Sequence, residues 1–436
     1  MRRLKALVEK IPYCIGKWLA RVPFSWRLGG VYVRMWNECH DMERGDEMRR
    51  SDYAVEQFRK VFEYARESFS CYRKMYEQAG VLDLEIRSLS DVAKIPTIDK
   101  AWARKHFQEF RGAYRLNTGG SSGEPTAFWT DKNCWAREWA HMHTIWEMLG
   151  YDYRDLKLAI RGRNLGQRPF AYNPVHNEYI INTYLNVKDY APKLEWLFAK
   201  RDVKWFHGYP SSIYQFILEC ESAFGQEGVR RLFKGVRGLL LSSEFPLPYM
   251  KEKFNGYGLN WISWYGHTEM CVLAYDRDCN NRYRPFATYG LAEVVNGHLI
   301  GTSFHNFDMP LIRYDTADIA TVSQKVGQRG RIVDRIDGRN GDCIYLPDGT
   351  HVATLSALFT GTKNIVEAQI HQQQDYSLVI RYVPKNEQYA DDLELVKNML
   401  VDRIGSHTVP FSFVRMEKLP RTARGKLRYI VSDVKR

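Results

Sequence analysis

Four segments of the chain hold residue types that can do chemistry. In TGGSSGEPT, residues 118–126, three glycines and several hydroxyls lie between an apolar segment and a helical one. Glycine lets backbone approach a polyanion, successive N–H groups form an anion nest, and Ser and Thr hydroxyls add neutral donors. The alternative is a surface loop. The segment lacks the GxxxxGK[ST] spacing, which disfavours a Walker-type NTPase. WYGHTEM, residues 264–270, follows an apolar strand, and strand ends are where α/β sheets present ligand groups. There Glu269 could bind Mg2+ and Tyr265 could stack on a base, or the acid is simply solvated in a turn. In MPLIRYDTADIA, Asp318 ends an apolar strand and could accept hydrogen bonds from ribose hydroxyls; Asp315 stands close enough to be confused with it, and a hairpin-turn carboxylate is the plain alternative. In LPRTARGKLRY, Lys426 follows Gly425 in a basic turn-like stretch. A lone lysine there is solvated, unless a lid delivers it to a phosphate.

The elements that must position these groups follow from periodicity. Residues 50–110 read as helical, with apolar side chains three and four apart at Val55, Phe58, Val61, Phe62 and Tyr64, and residues 133–149 read as a second amphipathic stretch. From 156 to 320, the runs LKLAIRG, VKWFHGY, VRGLLLSS and LNWISWYG read as buried strands, and SSIYQFILECESAF as a crossover helix between two of them. That alternation implies a largely parallel α/β sheet. Residues 285–322 read as antiparallel strands with a tight turn at Asn296-Gly297. The polar, Gly-rich IDGRNGD reads as a hinge, and the roughly 95 residues after it as a small α+β module.

The chain has 436 residues, enough for two or three modules at about 100–200 residues each. Its 44% hydrophobic and 26% charged content is that of a globular protein. A net charge of +12 suits anionic partners. No zinc-finger or RRM signature accompanies it, so nucleic acid is not expected as a partner. Eight cysteines lie scattered, none in a CxxC pair, which reads as free thiols in a reducing, cytoplasmic compartment. His267, Cys271 and Cys279 cluster in sequence without a clean zinc spacing. The N-terminus, MRRLKALVEKIPYCIGKWLARVPFSWRL, is basic and lacks a continuous apolar core. A docked N-terminal helix is the reading favoured; peripheral contact with an anionic membrane is the alternative. No run is long and apolar enough to span a bilayer. Oligomeric state is open, a homodimer included.

Taken in order, TGGSSGEPT, YGHTE, RYDTAD, GRNGD and PRTARGK resemble the motif set of the adenylate-forming, acyl-CoA synthetase-like superfamily over about residues 60–430. The short length and LIRYDTAD resemble its phenylacetate-CoA ligase branch, in particular the CapK-like relatives linked to capsular polysaccharide biosynthesis. The resemblance implies an α/β fold: a large N-terminal AMP-binding domain, residues 1–337 with a helical segment at 1–110, and a small mobile α+β lid, residues 338–436. It implies that ATP phosphates are held by Thr118, Gly119, Gly120, Ser121, Ser122 and Gly123, though the usual Pro-Lys ending is Pro125-Thr126 here. Mg2+ falls to Glu269, the adenine to Ser243, Glu244, Tyr265 and Gly266, the ribose to Asp318, and ribose or phosphate to Arg335. The usual Thr-Gly-Asp is Thr316-Ala317-Asp318, a mild change on sequence grounds. Gly338, Arg339 and Asp342 form the hinge, and Lys426 is the adenylation lysine. By analogy, Trp135, Trp139, His207, Tyr209 and Trp264 line the pocket for a small carboxylic acid. Coenzyme A is the acceptor the ligase branch implies; an amine or hydroxyl of a surface-polysaccharide sugar is the alternative.

Overall fold

A computed structural model describes the chain except residues 1–10, 118–125, 162, 164, 245, 247, 279, 281, 323–332, 334, 340–343, 348–350, 353–358, 360–361, 363, 405–408, 422–426 and 435–436. The chain forms two compact units. One comprises residues 1–21, 151–261 and 340–436, the other residues 22–150 and 262–339.

The first unit is built on strands in the order Gly238–Ser242, Val203–Gly208, Leu156–Ile160, Glu178–Ile181 and Phe170–Asn173. The first four are parallel, and Phe170–Asn173 closes the edge antiparallel. Leu156–Ile160 and Gly238–Ser242 are buried at every position. Continuous burial is what a parallel sheet covered on both faces requires, and it explains why these strands read as largely apolar rather than alternating, with even Lys157 buried. The crossovers are the helices Ala191–Lys200 and Pro210–Leu232. Pro210 starts the latter, where its missing N–H costs nothing. Gly208 has no room for a side chain, because an added Cβ would lie 2.0 Å from the Ile160 carbonyl oxygen.

The C-terminal part of the same unit is the expected small α+β module. Its sheet runs Phe411–Arg415, Leu378–Pro384, Ile365–Gln372, Ile430–Ser432. The helix Ala390–Ile404 packs on it through Val396, Leu400 and Ile404 against Ile370, Ile380 and Ile430.

The second unit holds the long helices Phe24–Arg44, Glu47–Ser68 and Cys134–Glu147. Asp46 caps Glu47–Ser68, its carboxylate accepting from Arg49 N at 2.9 Å. A core around Phe58, Phe62, Tyr72, Tyr76, Phe110 and Tyr314 joins this helical layer to an antiparallel sheet. That sheet is ordered Gly290–Val295, His298–Ser303, Tyr314–Thr321, Arg335–Arg339. Its first hairpin turns through Asn296 at φ 51° and Gly297 at φ 80°. Two successive left-handed residues are what a two-residue turn of type I′ demands, as the Asn-Gly pair predicts. The strands Tyr114–Asn117 and Ala127–Thr130, which flank the Gly/Ser segment, pair antiparallel with Asn117 opposite Ala127.

Candidate functional site

In the second unit, two of the chemical motifs meet. The strand Asn260–Gly266 runs into a tight turn in which Met270 N donates to the His267 carbonyl at 3.1 Å, with Met270 at φ 55°. The turn buries Glu269, which is 3% exposed. Its Oε1 accepts from the Tyr314 hydroxyl at 3.3 Å, and its Oε2 lies 3.1 Å from His267 Nδ1. Val272 N donates to His267 Nε2 at 3.2 Å, so Nδ1 carries the hydrogen and donates to the carboxylate. Glu269 is thus a buried carboxylate oriented by two side-chain donors.

Tyr265, on the end of that strand, donates its hydroxyl to Asp318 Oδ2. Burial, then the Asp318 charge, push the Tyr265 phenol well above its ordinary value, so it stays a donor. Asp318 reaches this position through a β-bulge. His298 pairs with Ile319 and Ile300 with Asp315, so Thr316, Ala317 and Asp318 together face Leu299. Thr316 Oγ1 donates to the Leu299 carbonyl at 2.8 Å and accepts from Asp318 N at 3.1 Å. Asp315 Oδ1 accepts from Ala317 N at 2.7 Å, and its Oδ2 lies 3.0 Å from His298 Nδ1. The two acids of RYDTAD are therefore told apart: Asp315 holds the bulge and Asp318 is presented by it. Ala317 sits at φ 61°, where glycine is at ease and alanine is strained. Replacement of the usual glycine here is thus not neutral for the backbone, against the mild change expected from sequence.

Arg335, Gly338 and Arg339 lie on the strand Arg335–Arg339, with Arg339 opposite Asp318 and Gly338 opposite Ile319. Asp342, the segment Thr118–Gly123 and Lys426 lie outside the described residues; the flanks of the last, Arg421 and Leu427, form an antiparallel bridge.

In the first unit, Ser243 takes φ 64° just after the strand Gly238–Ser242. Glu244 is buried, and its Oε2 accepts from Ser211 N at 3.2 Å in the first turn of Pro210–Leu232. Arg421, from PRTARGK, pairs with Glu367, and its Nη1 lies 3.4 Å from Ser211 Oγ. Arg421 is thus tied to the helix that Glu244 caps, a link invisible in the sequence because Arg421, Glu367 and Ser211 are remote in the chain.

The acid-pocket candidates divide between the units. Trp139 and Trp264 both pack on Trp146, at ring distances of 5.9 and 5.7 Å. Trp135 is 43% exposed. His207 and Tyr209 belong to the first unit, where Tyr209 precedes Pro210–Leu232. His207 is buried beside Glu178, with Nδ1 3.9 Å from Oε2. Asn173 donates to Glu178 Oε1 at 3.1 Å, and Arg161 approaches it at 3.6 Å. Burial pushes His207 down to about 4, and the Arg161 charge acts the same way. Burial pushes Glu178 up, but the nearby His207 ring and the Arg161 charge outweigh it and hold the carboxyl well below its usual range. Glu178 was missed because a carboxylate in a strand has no local signal.

Of the cluster His267, Cys271 and Cys279, the last lies outside the described residues. His267 spends both ring nitrogens within the Glu269 turn, and burial pushes the Cys271 thiol well up. Among the described residues, Cys71, His106 and Glu109 have ligand atoms close enough to share a metal. Glu109 there already accepts from Ser70 Oγ at 2.8 Å and Cys71 N at 3.1 Å, serving the start of the helix Ser70–Gln78.

The fold is that of the adenylate-forming ligases. The structure is similar to 2-hydroxyisobutyryl-CoA ligase in its postadenylation state in complex with 2-HIB-AMP, with a TM-score of 0.66 and 18% identity over 89% of this chain and 90% of that one. It is also similar to the same ligase in complex with 2-HIB-AMP and CoA in the thioesterification state, with a TM-score of 0.53 and 18% identity over 89% of this chain and 91% of that one. Residues 344–433 match the CapK C-terminal domain. The chain is 22% identical to Protein CapK of Staphylococcus aureus over 442 residues, 92% of each. The resemblance to the CapK-like branch that the motifs carry therefore extends along nearly the whole chain.

Proposed function

We propose that the protein activates a carboxylic acid with ATP as an acyl-adenylate and then transfers the acyl group to the thiol of coenzyme A. The observation that carries this reading is the convergence of YGHTE and RYDTAD: Tyr265 bonded to Asp318, with Glu269 buried beside Tyr314. Asp318 fits a ribose by its chemistry, a carboxylate accepting from hydroxyl donors. Glu269 fits Mg2+ equally, a buried hard oxygen donor held by two side chains. Bound there, Mg2+ would supply positive charge at the ATP phosphates. The 118–123 segment would hold those phosphates. Ser243, Glu244 and Gly266 would flank the adenine, and Arg335 would contact ribose or phosphate. Lys426 would offset charge developing on the α-phosphate as the carboxylate attacks. Removing one such group costs about 10²–10³ in rate.

In this reading residues 1–337 are the adenylation domain and 338–436 a lid that rotates about Gly338, Arg339 and Asp342. Trp135, Trp139, His207, Tyr209 and Trp264 are candidates for the acid pocket. The compartment is cytoplasmic, with peripheral contact of the basic N-terminus with a membrane surface. The test is ATP–pyrophosphate exchange across a library of carboxylic acids. Acid-dependent exchange that falls by about 10²–10³ in Lys426→Ala supports the reading; exchange with no acid, or exchange unchanged in that variant, refutes it.

The likeness to Protein CapK and the match of residues 344–433 favour a second reading, transfer to an amine or hydroxyl acceptor in capsular polysaccharide synthesis. Acid-dependent exchange with no AMP release on adding coenzyme A decides for it.

A further inference from the structure

The helix Tyr13–Leu19 and the helix Ala191–Lys200 belong to one compact unit. The first is pinned by one side. Tyr13 packs edge-on against Tyr172 at 4.9 Å and stacks on Tyr179 at 5.8 Å, on the strands Phe170–Asn173 and Glu178–Ile181. Gly16 lies so close to Tyr172 that an added Cβ would be 2.6 Å from its ring. Tyr13, Gly16 and Ala20 follow helical spacing and fix which face is docked. The opposite face carries Ile15, Trp18 and Leu19, at spacings of three and four, exposed at 57, 58 and 40%. Lys17 Nζ and the Arg21 guanidinium lie over the Trp18 ring at 5.4 and 4.9 Å.

The second helix repeats the pattern. Lys193, Trp196 and Lys200 share a face and are all exposed, Trp196 at 46%. The two helices are joined by Arg201, whose guanidinium lies 4.1 Å from the Tyr13 ring centroid and 4.9 Å from that of Trp196.

Exposed tryptophans beside cations are suited to the boundary between lipid headgroups and acyl chains. The ring sits at that boundary while the charge meets anionic phosphate. Lys17, Arg21 and Arg201 lie over the two tryptophans and Lys193 and Lys200 share the face of Trp196, against the exposed Glu195 of the same helix, a surplus of positive charge that complements anionic headgroups. We propose that this surface binds the headgroup region of an anionic lipid bilayer. The inference deepens the membrane contact named above and is independent of the adenylation chemistry.

The test is co-sedimentation of the full chain with vesicles of phosphatidylcholine alone and of phosphatidylcholine mixed with phosphatidylglycerol, together with tryptophan emission. Binding only to the anionic vesicles is expected, with a blue-shifted emission and weakening in high salt. Trp18→Ala with Trp196→Ala should weaken binding about tenfold, and Lys193→Glu with Lys200→Glu by at least as much. Both double variants should keep pyrophosphate exchange at the wild-type rate, which shows that they are folded. Absence of binding to the anionic vesicles would overturn the proposal, as would binding unchanged in both variants. Self-association lost in Trp18→Ala, without vesicle binding, would overturn it in favour of a second copy of the chain. Soluble inorganic phosphate that competes vesicles away fully at low millimolar concentration would overturn it in favour of a simple anion site.

Discussion

Two buried polar clusters in this molecule hold their carboxylates in opposite ways. In the second unit, Glu269 and Asp318 are presented by turns: a left-handed residue follows Glu269, a bulge precedes Asp318, and the near neighbours His267 and Thr316 make a bond at each, to which Tyr314 and Tyr265 add one from the other motif. In the first unit, Glu178 and His207 sit inside strands, and their partners Arg161 and Asn173 come from other segments. Local encoding lets a site be aimed by a few adjacent residues at little cost to the core. Non-local encoding makes the same kind of group part of what holds the sheet together. Loss of the first kind should cost ligand binding, and loss of the second should cost stability.

The largest effect separating the two is expected at Glu178. Glu178→Ala removes the acceptor from buried Asn173 and the partner of Arg161, and should lower unfolding free energy by about 2–3 kcal/mol in denaturant titration. ATP affinity should stay near wild type in whatever folds. Asp318→Asn is the converse. It keeps an acceptor for Tyr265 but loses the negative charge, and should raise the KM for ATP about tenfold with stability changed by less than about 1 kcal/mol. If Asp318→Asn unfolds the protein and Glu178→Ala only weakens ATP binding, the division drawn here fails.

Acid sharpens it further. His207 is held down to about 4, as is His305, and His141 to about 3, in each case by burial first. These rings are neutral when folded and become protonated in the unfolded chain near pH 6.5. Each therefore favours the folded state above that pH. Each loses about 1.4 kcal/mol of that support per pH unit as pH falls from 6.5 towards 4. Glu178, held low, stays ionised in the folded chain through this range and adds a further loss below the ordinary carboxylate value. Denaturation midpoints at pH 7.5, 6 and 5 should fall in that order, and His207→Asn should flatten part of the slope.

The smallest effect tests the bulge. Ala317→Gly relieves a left-handed alanine and should stabilise the protein by up to about 1 kcal/mol without altering the ATP KM.

Much of this was legible in the sequence for the same reason the two clusters differ. The largely apolar runs at 156–160, 203–208 and 238–242 announced a parallel sheet, and Asn296-Gly297 announced a hairpin, because burial and turn geometry are written locally. Tyr265, Glu269 and Asp318 were legible because turns leave residue patterns. What was not legible is the bulge between His298–Ser303 and Tyr314–Thr321 that presents Asp318, and its meeting with Tyr265 from another sheet. Nor was the division into units, since residues 340–436 share a compact unit with 151–261 across a long stretch of intervening chain. Arg421, Glu367 and Ser211 meet only through that association. Asp315 and Asp318 could not be ranked from sequence, because two aspartates three residues apart look alike until the bulge distinguishes them.

Whether Tyr265, Glu269 and Asp318 hold one adenine nucleotide is decided by calorimetric titration of ATP, with and without Mg2+, into the wild type and the Asp318→Ala, Glu269→Gln and Glu178→Gln variants. Expected are single-site binding in the wild type, a loss of about tenfold or more in Asp318→Ala, loss of the Mg2+ dependence in Glu269→Gln, and unchanged affinity in Glu178→Gln. ATP binding equally tight in all four proteins would contradict that expectation.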